Sequence, residues 1–156
     1  MFRPARKSDA TVALLAVAAA LLLAPFLRSQ ATWFDWRVQP ASIFGWVWVN
    51  EGGISVFTGL QEDVGNVLGV TTASPVAGQI TAPYKFKAYH AEEDAPVLRL
   101  GQQLIHLPEP ATEPLIFDVA AGSEFGFGVH HFSTTLGYSA EAFFELTFAP
   151  APHLLL

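Results

Sequence analysis

Ile43-Phe44-Gly45-Trp46-Val47-Trp48-Val49, then Asn50-Glu51-Gly52-Gly53, then Ile54-Ser55-Val56-Phe57-Thr58 is the stretch that decides the fold. Two runs rich in β-branched and aromatic residues flank a cluster of turn formers, which is the composition of a β-hairpin. Successive side chains of a strand point to opposite faces, so Trp46 and Trp48 share one face of the first run.

The same punctuation continues beyond the hairpin. Short apolar runs separated by Gly, Pro, Asn and Asp predict strands at Val67–Thr72, Tyr84–His90, Val97–Leu100, Gln103–Leu107, Leu115–Val119, Phe125–Phe132 and Glu141–Phe148. Tyr84, Phe86, Ala88 and His90 alternate with Lys85, Lys87 and Tyr89, as in a half-buried strand. About eight or nine short strands with frequent turns predict a mainly β chain with one β-sandwich domain, jelly-roll-like, over residues 41–149. Ala91–Pro96, with Glu92, Glu93 and Asp94, and the proline-rich Pro108–Pro114 read as solvent-facing loops.

Upstream of the hairpin the pattern is different. Thr11–Leu27 carries no charge and is dominated by Ala, Leu and Val, which predicts a transmembrane helix over residues 11–28. Arg3, Arg6 and Lys7 in the basic tail 1–10 place the N-terminus in the cytoplasm and the β domain outside. Ser29-Gln30-Ala31 presents small residues where a signal peptidase would cut, so a cleaved signal is the competing reading. Trp33, Phe34 and Trp36, within the segment 29–40, are expected to form an aromatic belt at the lipid headgroups; the alternative is a first strand burying them in the core.

Charge narrows the partners. Only 14% of the residues are charged while 51% are hydrophobic, and from Thr32 onward four basic residues face thirteen acidic ones, a net charge of −9. That sign repels phosphate backbones, which argues against a nucleic-acid partner. It would attract a basic soluble electron carrier. The chain has no cysteine, which removes disulfides, thiolate nucleophiles and cysteine-held iron–sulfur or blue-copper centres.

No catalytic signature is present. There is no Gly-x-Ser-x-Gly elbow, and nothing nominates a pair of carboxylates. His130-His131 lie next to each other, so from a regular strand one faces in and one out and they cannot share a metal. Only convergence of His106 or His90 on one of them would make a site, and no histidine spacing signals it. The acidic groups Glu62-Asp63 and Glu92-Glu93-Asp94 match no calcium-loop pattern. The expectation is therefore no metal and no cofactor.

Aromatics are the enriched class, with four Trp and thirteen Phe. Trp46 and Trp48 are the expected partner contacts, together with the apolar tail 150–156 and its Leu154, Leu155 and Leu156. These features predict a non-catalytic accessory subunit that sits on the bilayer and binds other subunits of a membrane complex. Bacterial photosynthetic or respiratory electron transfer is the favoured setting. The alternative is a tethered or secreted sandwich that binds glycans or a cell-surface ligand.

Overall fold

The hairpin is formed as its composition predicts. In the computed structural model, which describes residues 30–39, 45–59, 67–88, 93–132 and 139–152, Trp46 pairs with Phe57 and Trp48 with Ser55. The turn is held by the Asn50 side chain, whose Oδ1 accepts the Gly52 N–H at 2.7 Å. Gly53 follows at φ 144°, where a Cβ would lie 2.3 Å from the Phe144 carbonyl oxygen, so only glycine fits.

The described residues form the strands β1 (Arg37–Gln39), β2 (Gly45–Asn50), β3 (Gly53–Thr58), β4 (Val67–Ala73), β5 (Gly78–Ala82) and β6 (Tyr84–Ala88). They continue with β7 (Asp94–Leu100), β8 (Gln103–His106), β9 (Leu115–Val119), β10 (Glu124–His131), β11 (Ala140–Phe144) and β12 (Thr147–Pro150). All pairings are antiparallel. One layer has the order β1-β4-β10-β7-β8; the rest form a four-stranded sheet β2-β3-β11-β6 and a three-stranded sheet β12-β5-β9. The chain is mainly β, and its sheets pack as in a β-sandwich.

The two smaller sheets are halves of one layer. Phe144 stands opposite Tyr84 and Thr147 opposite Thr81, so a single register runs through both ladders with Glu145 opposite Pro83. Glu145 N–H donates to the Pro83 carbonyl at 2.9 Å, but proline has no N–H to return the bond. The layer breaks at that missing donor.

The core lies between the layers. Phe125, Phe127 and Val129 of β10 face Ala142 and Phe144 of β11 and Ile54 and Val56 of β3, all buried. Phe127 and Phe144 meet across the interface with ring centroids 4.8 Å apart. Each such side chain contributes on the order of 1.5–3 kcal/mol of burial.

Four expectations change. Residues 30–39, expected as an interfacial segment outside the sandwich, are built into it. Gln30 is buried, its N–H donating to the Leu146 carbonyl at 2.6 Å and its Oε1 accepting the Phe148 N–H at 2.6 Å. Ala31–Trp33 is a 3-10 turn with Ala31 fully buried, and β1 then joins β4. The second change concerns Ala91–Pro96: Asp94 is not in a loop but opens β7, buried opposite His131. Glu141–Phe148 is two strands, and β5 has no counterpart among the strands that the sequence predicts.

Residues 1–29, with the expected basic tail and membrane helix, lie outside the described residues, as do His90, Glu92, Glu62-Asp63 and Leu154–Leu156. Among the described residues no helix is long and apolar enough to cross a membrane.

Candidate functional site

Two of the exposed aromatics, Trp46 and Trp48, share the outer face of the four-stranded sheet. Strand β2 alternates half-buried and exposed residues, sending Val47 and Val49 to the core and Trp46 and Trp48 outward. Trp46 is 46% exposed and Trp48 60%. Cross-strand pairing makes two rows: Trp46, Phe57, Glu141 and Lys87 in one, Trp48, Ser55, Phe143 and Lys85 in the other. The face is thus aromatic at the β2 edge and charged at β6.

Trp46 and Phe57 are stacked, centroids 4.2 Å apart and planes 17° from parallel. They sit opposite each other on strands about 4.8 Å apart, so the rings stand upright from the sheet. Trp48 leans on Trp46 at 5.8 Å and 55°, with the short Ser55 beside it leaving room. The result is a ridge of indole edges. Next to it Phe57, Lys87, Ala88, Ser139, Ala140 and Glu141 line an open hollow of about 330 Å³. This arrangement offers apolar burial and hydrogen bonds.

Of the expected membrane belt, only Trp33 is strongly exposed, at 60%. Phe34, 8% exposed, packs edge-on against Phe125 at 5.3 Å and Phe148 at 5.5 Å. Trp36 is half-buried against Phe125 at 5.5 Å, and its indole N–H donates to the Ala31 carbonyl at 2.6 Å. Phe34 is therefore a core residue and Trp36 a core-packing one, because the aromatic surface of β10 was available to cover them.

The histidines separate as the alternation requires. His131 faces in, buried, with Nδ1 3.1 Å from Asp94 Oδ1. Burial holds the Asp94 carboxyl above its ordinary range; the hydrogen bond and charge of His131 oppose that shift, and Glu93 adds to it. His130 faces out, and there it meets His106: the two ring nitrogens, His106 Nε2 and His130 Nδ1, lie 2.6 Å apart. Burial pushes His130 below the usual histidine range, with His106 and then His131 adding to the effect. The 24 positions between His106 and His130 give no local signal of this contact. Among the described residues no three His, Cys, Asp or Glu side chains gather as a metal cluster.

No protein-family model matches the chain, and no curated protein sequence does. Among solved structures it is similar to an arabinose-bound MgGH51 α-L-arabinofuranosidase, with a TM-score of 0.39, 11% identity, and 78% of this chain and 24% of that one covered. It is also similar to Xylanase10C from Cellvibrio japonicus in complex with xylopentaose, with a TM-score of 0.37, 12% identity, and 83% of this chain and 29% of that one covered. The chain spans less than a third of the length of either.

Proposed function

We propose that this chain is a non-catalytic accessory domain, tethered to a membrane by its N-terminal apolar run, that docks on neighbouring subunits through Trp46, Trp48 and Phe57. The observation that carries this reading is the exposure of two indoles side by side on the edge strand β2. A large exposed apolar ridge beside polar residues fits an interaction surface. We read the strand path, in which most successive strands alternate between the layers, as jelly-roll-like.

Magnitudes support the tether. With about 250 Å² per indole, the exposed parts of Trp46 and Trp48 offer on the order of 6 kcal/mol on burial. Association from solution costs about 4–15 kcal/mol, so the ridge alone would hold a free partner weakly. Confinement to one membrane removes much of that cost. The burial of Gln30 and Ala31 points the same way, since a cut after Ala31 would remove residues the fold uses. Leu154–Leu156 is proposed as a second contact. The exposed carboxylates, among them Asp35, Glu51, Glu109, Glu113, Asp118 and Glu145, suit steering of a basic soluble electron carrier.

The test is mild-detergent purification of the full chain with mass spectrometry of what accompanies it. Partners in fixed ratio with the wild type, absent from the Trp46→Ala/Trp48→Ala variant at unchanged domain stability, support the proposal. A wild-type chain that purifies alone, or a variant that keeps every partner, overturns it.

A second reading, glycan binding, is favoured by Ser55, Lys85, Lys87 and Glu141 lying in the same rows as the aromatics. Against it, the upright stack leaves Phe57 covering one face of Trp46, whereas sugar rings need an open aromatic face. Titration with neutral and acidic oligosaccharides decides: saturable binding lost with Trp48→Ala favours this reading over docking.

A further inference from the structure

We propose that the outer face of the five-stranded sheet carries a two-histidine site for a late divalent transition-metal ion, zinc or copper, with His106 Nε2 and His130 Nδ1 as its protein ligands. The site is on the opposite layer from Trp46 and Trp48 and stands independently of the docking reading.

The geometry is specific. His106 closes β8 and His130 lies near the end of β10, and these strands are not neighbours, because β7 runs between them. Register places Val97 beside His106 and Ala95 beside His130. The two rings lean toward each other over these small side chains until their nitrogens are 2.6 Å apart. Phe132 packs beside both imidazoles, its centroid 5.8 Å from each, and walls one side of the pair. Backbone ladders fix the Cα positions of both histidines, the support that a ligand pair needs.

Two imidazole nitrogens pointed at each other need something positive between them. A single shared proton does this whenever one ring donates and the other accepts, and in a site open to water such a bond contributes only about 0.5–1.5 kcal/mol. A metal ion does it with both lone pairs, and neutral imidazole is a preferred ligand of zinc and copper. Metal–nitrogen bonds of about 2.0–2.1 Å in tetrahedral geometry set the nitrogens about 3.3 Å apart. Small rotations of two partly exposed rings open that distance. Two protein ligands leave the other positions to water or to a partner's side chain, so this is an open site of moderate affinity. Missing sequence motifs do not argue against it, because the ligands come from separate strands.

The experiment uses the full chain in detergent, stripped with chelator, with copper(II) as the probe. Calorimetric titration should show one equivalent bound, and electron paramagnetic resonance should show coupling to two imidazole nitrogens. His106→Gln and His130→Gln should each weaken binding on the order of tenfold or more, with thermal melts confirming that both variants stay folded. His153→Gln serves as the control and should bind as the wild type does. Wild-type binding no tighter than that of the double variant, or a spectrum with a single nitrogen, overturns the site. If either variant fails to fold, the wild type decides alone: two-nitrogen coupling that added zinc abolishes supports the site, and coupling to fewer than two nitrogens overturns it.

Discussion

Gln30 Oε1 accepts the backbone N–H of Phe148 at 2.6 Å, joining positions 118 apart and tying the first described residue to the last strand. Both groups are buried, so removing the acceptor leaves a donor without water. Gln30→Ala should cost about 1–3 kcal/mol in urea unfolding. A chain started at Thr32 should lose more than one started at Gln30, because Ala31 and its carbonyl bond to Trp36 go too. Equal stability of the two truncations would show that the pair does not matter to the fold.

Trp46 and Trp48 should differ in what they do for the domain. Trp48→Ala should change stability by no more than about 0.5 kcal/mol, as expected for an exposed position. Trp46→Ala loses a stacked partner at Phe57 and should cost about 0.5–1.5 kcal/mol. Thermal melts of the two variants check the order.

Phe127 touches Phe125, Phe144, Phe117 and Trp36. Phe127→Ala should cost about 3–5 kcal/mol, a large share of the roughly 5–15 kcal/mol that holds a typical domain together. A loss below about 1 kcal/mol in chemical denaturation would mean that the two layers do not pack through this ring.

Asp94 gives a pH dependence with a definite sign. Its folded-state pKa is raised, chiefly by burial, so the stability its protonated form contributes is present below the unfolded value of 3.8 and is lost as pH rises through the folded value. At neutral pH the ionised carboxyl is a cost. Asp94→Asn keeps an acceptor for His131 and should have the higher urea midpoint at neutral pH, the gap closing on acidification toward the unfolded value. A gap that widens on acidification would reverse the assignment.

The hairpin from Gly45 to Thr58 is legible in the sequence because alternation and turn chemistry are local, and the shared outward face of Trp46 and Trp48 follows from the pleat. Gly78–Ala82 is not, since Ile80 is its only large apolar side chain and its identity as a strand comes from neighbours on both sides. Asp94 escapes a local reading because Glu92-Glu93-Asp94 looks like a solvated run, and the partner that draws it inside, His131, is 37 positions away. Phe34 and Trp36 follow an apolar run and carry the composition of a membrane belt. What distinguishes a core aromatic from an interfacial one is the surface it meets, here β10, and no local pattern encodes that. The same holds for His106 and His130.

The bond between Gln30 and Phe148 also sets a schedule for biogenesis. At typical rates of synthesis Phe148 is made on the order of ten seconds after Gln30. Until then β12 does not exist, the Gln30 side chain has no buried N–H to accept from, and Gln30 and Ala31 cannot take their folded places. On the proposal that the apolar run stays attached, any cut at the Ala31–Thr32 bond would have to be slow on that scale, because closure of the last strand buries Gln30 and Ala31.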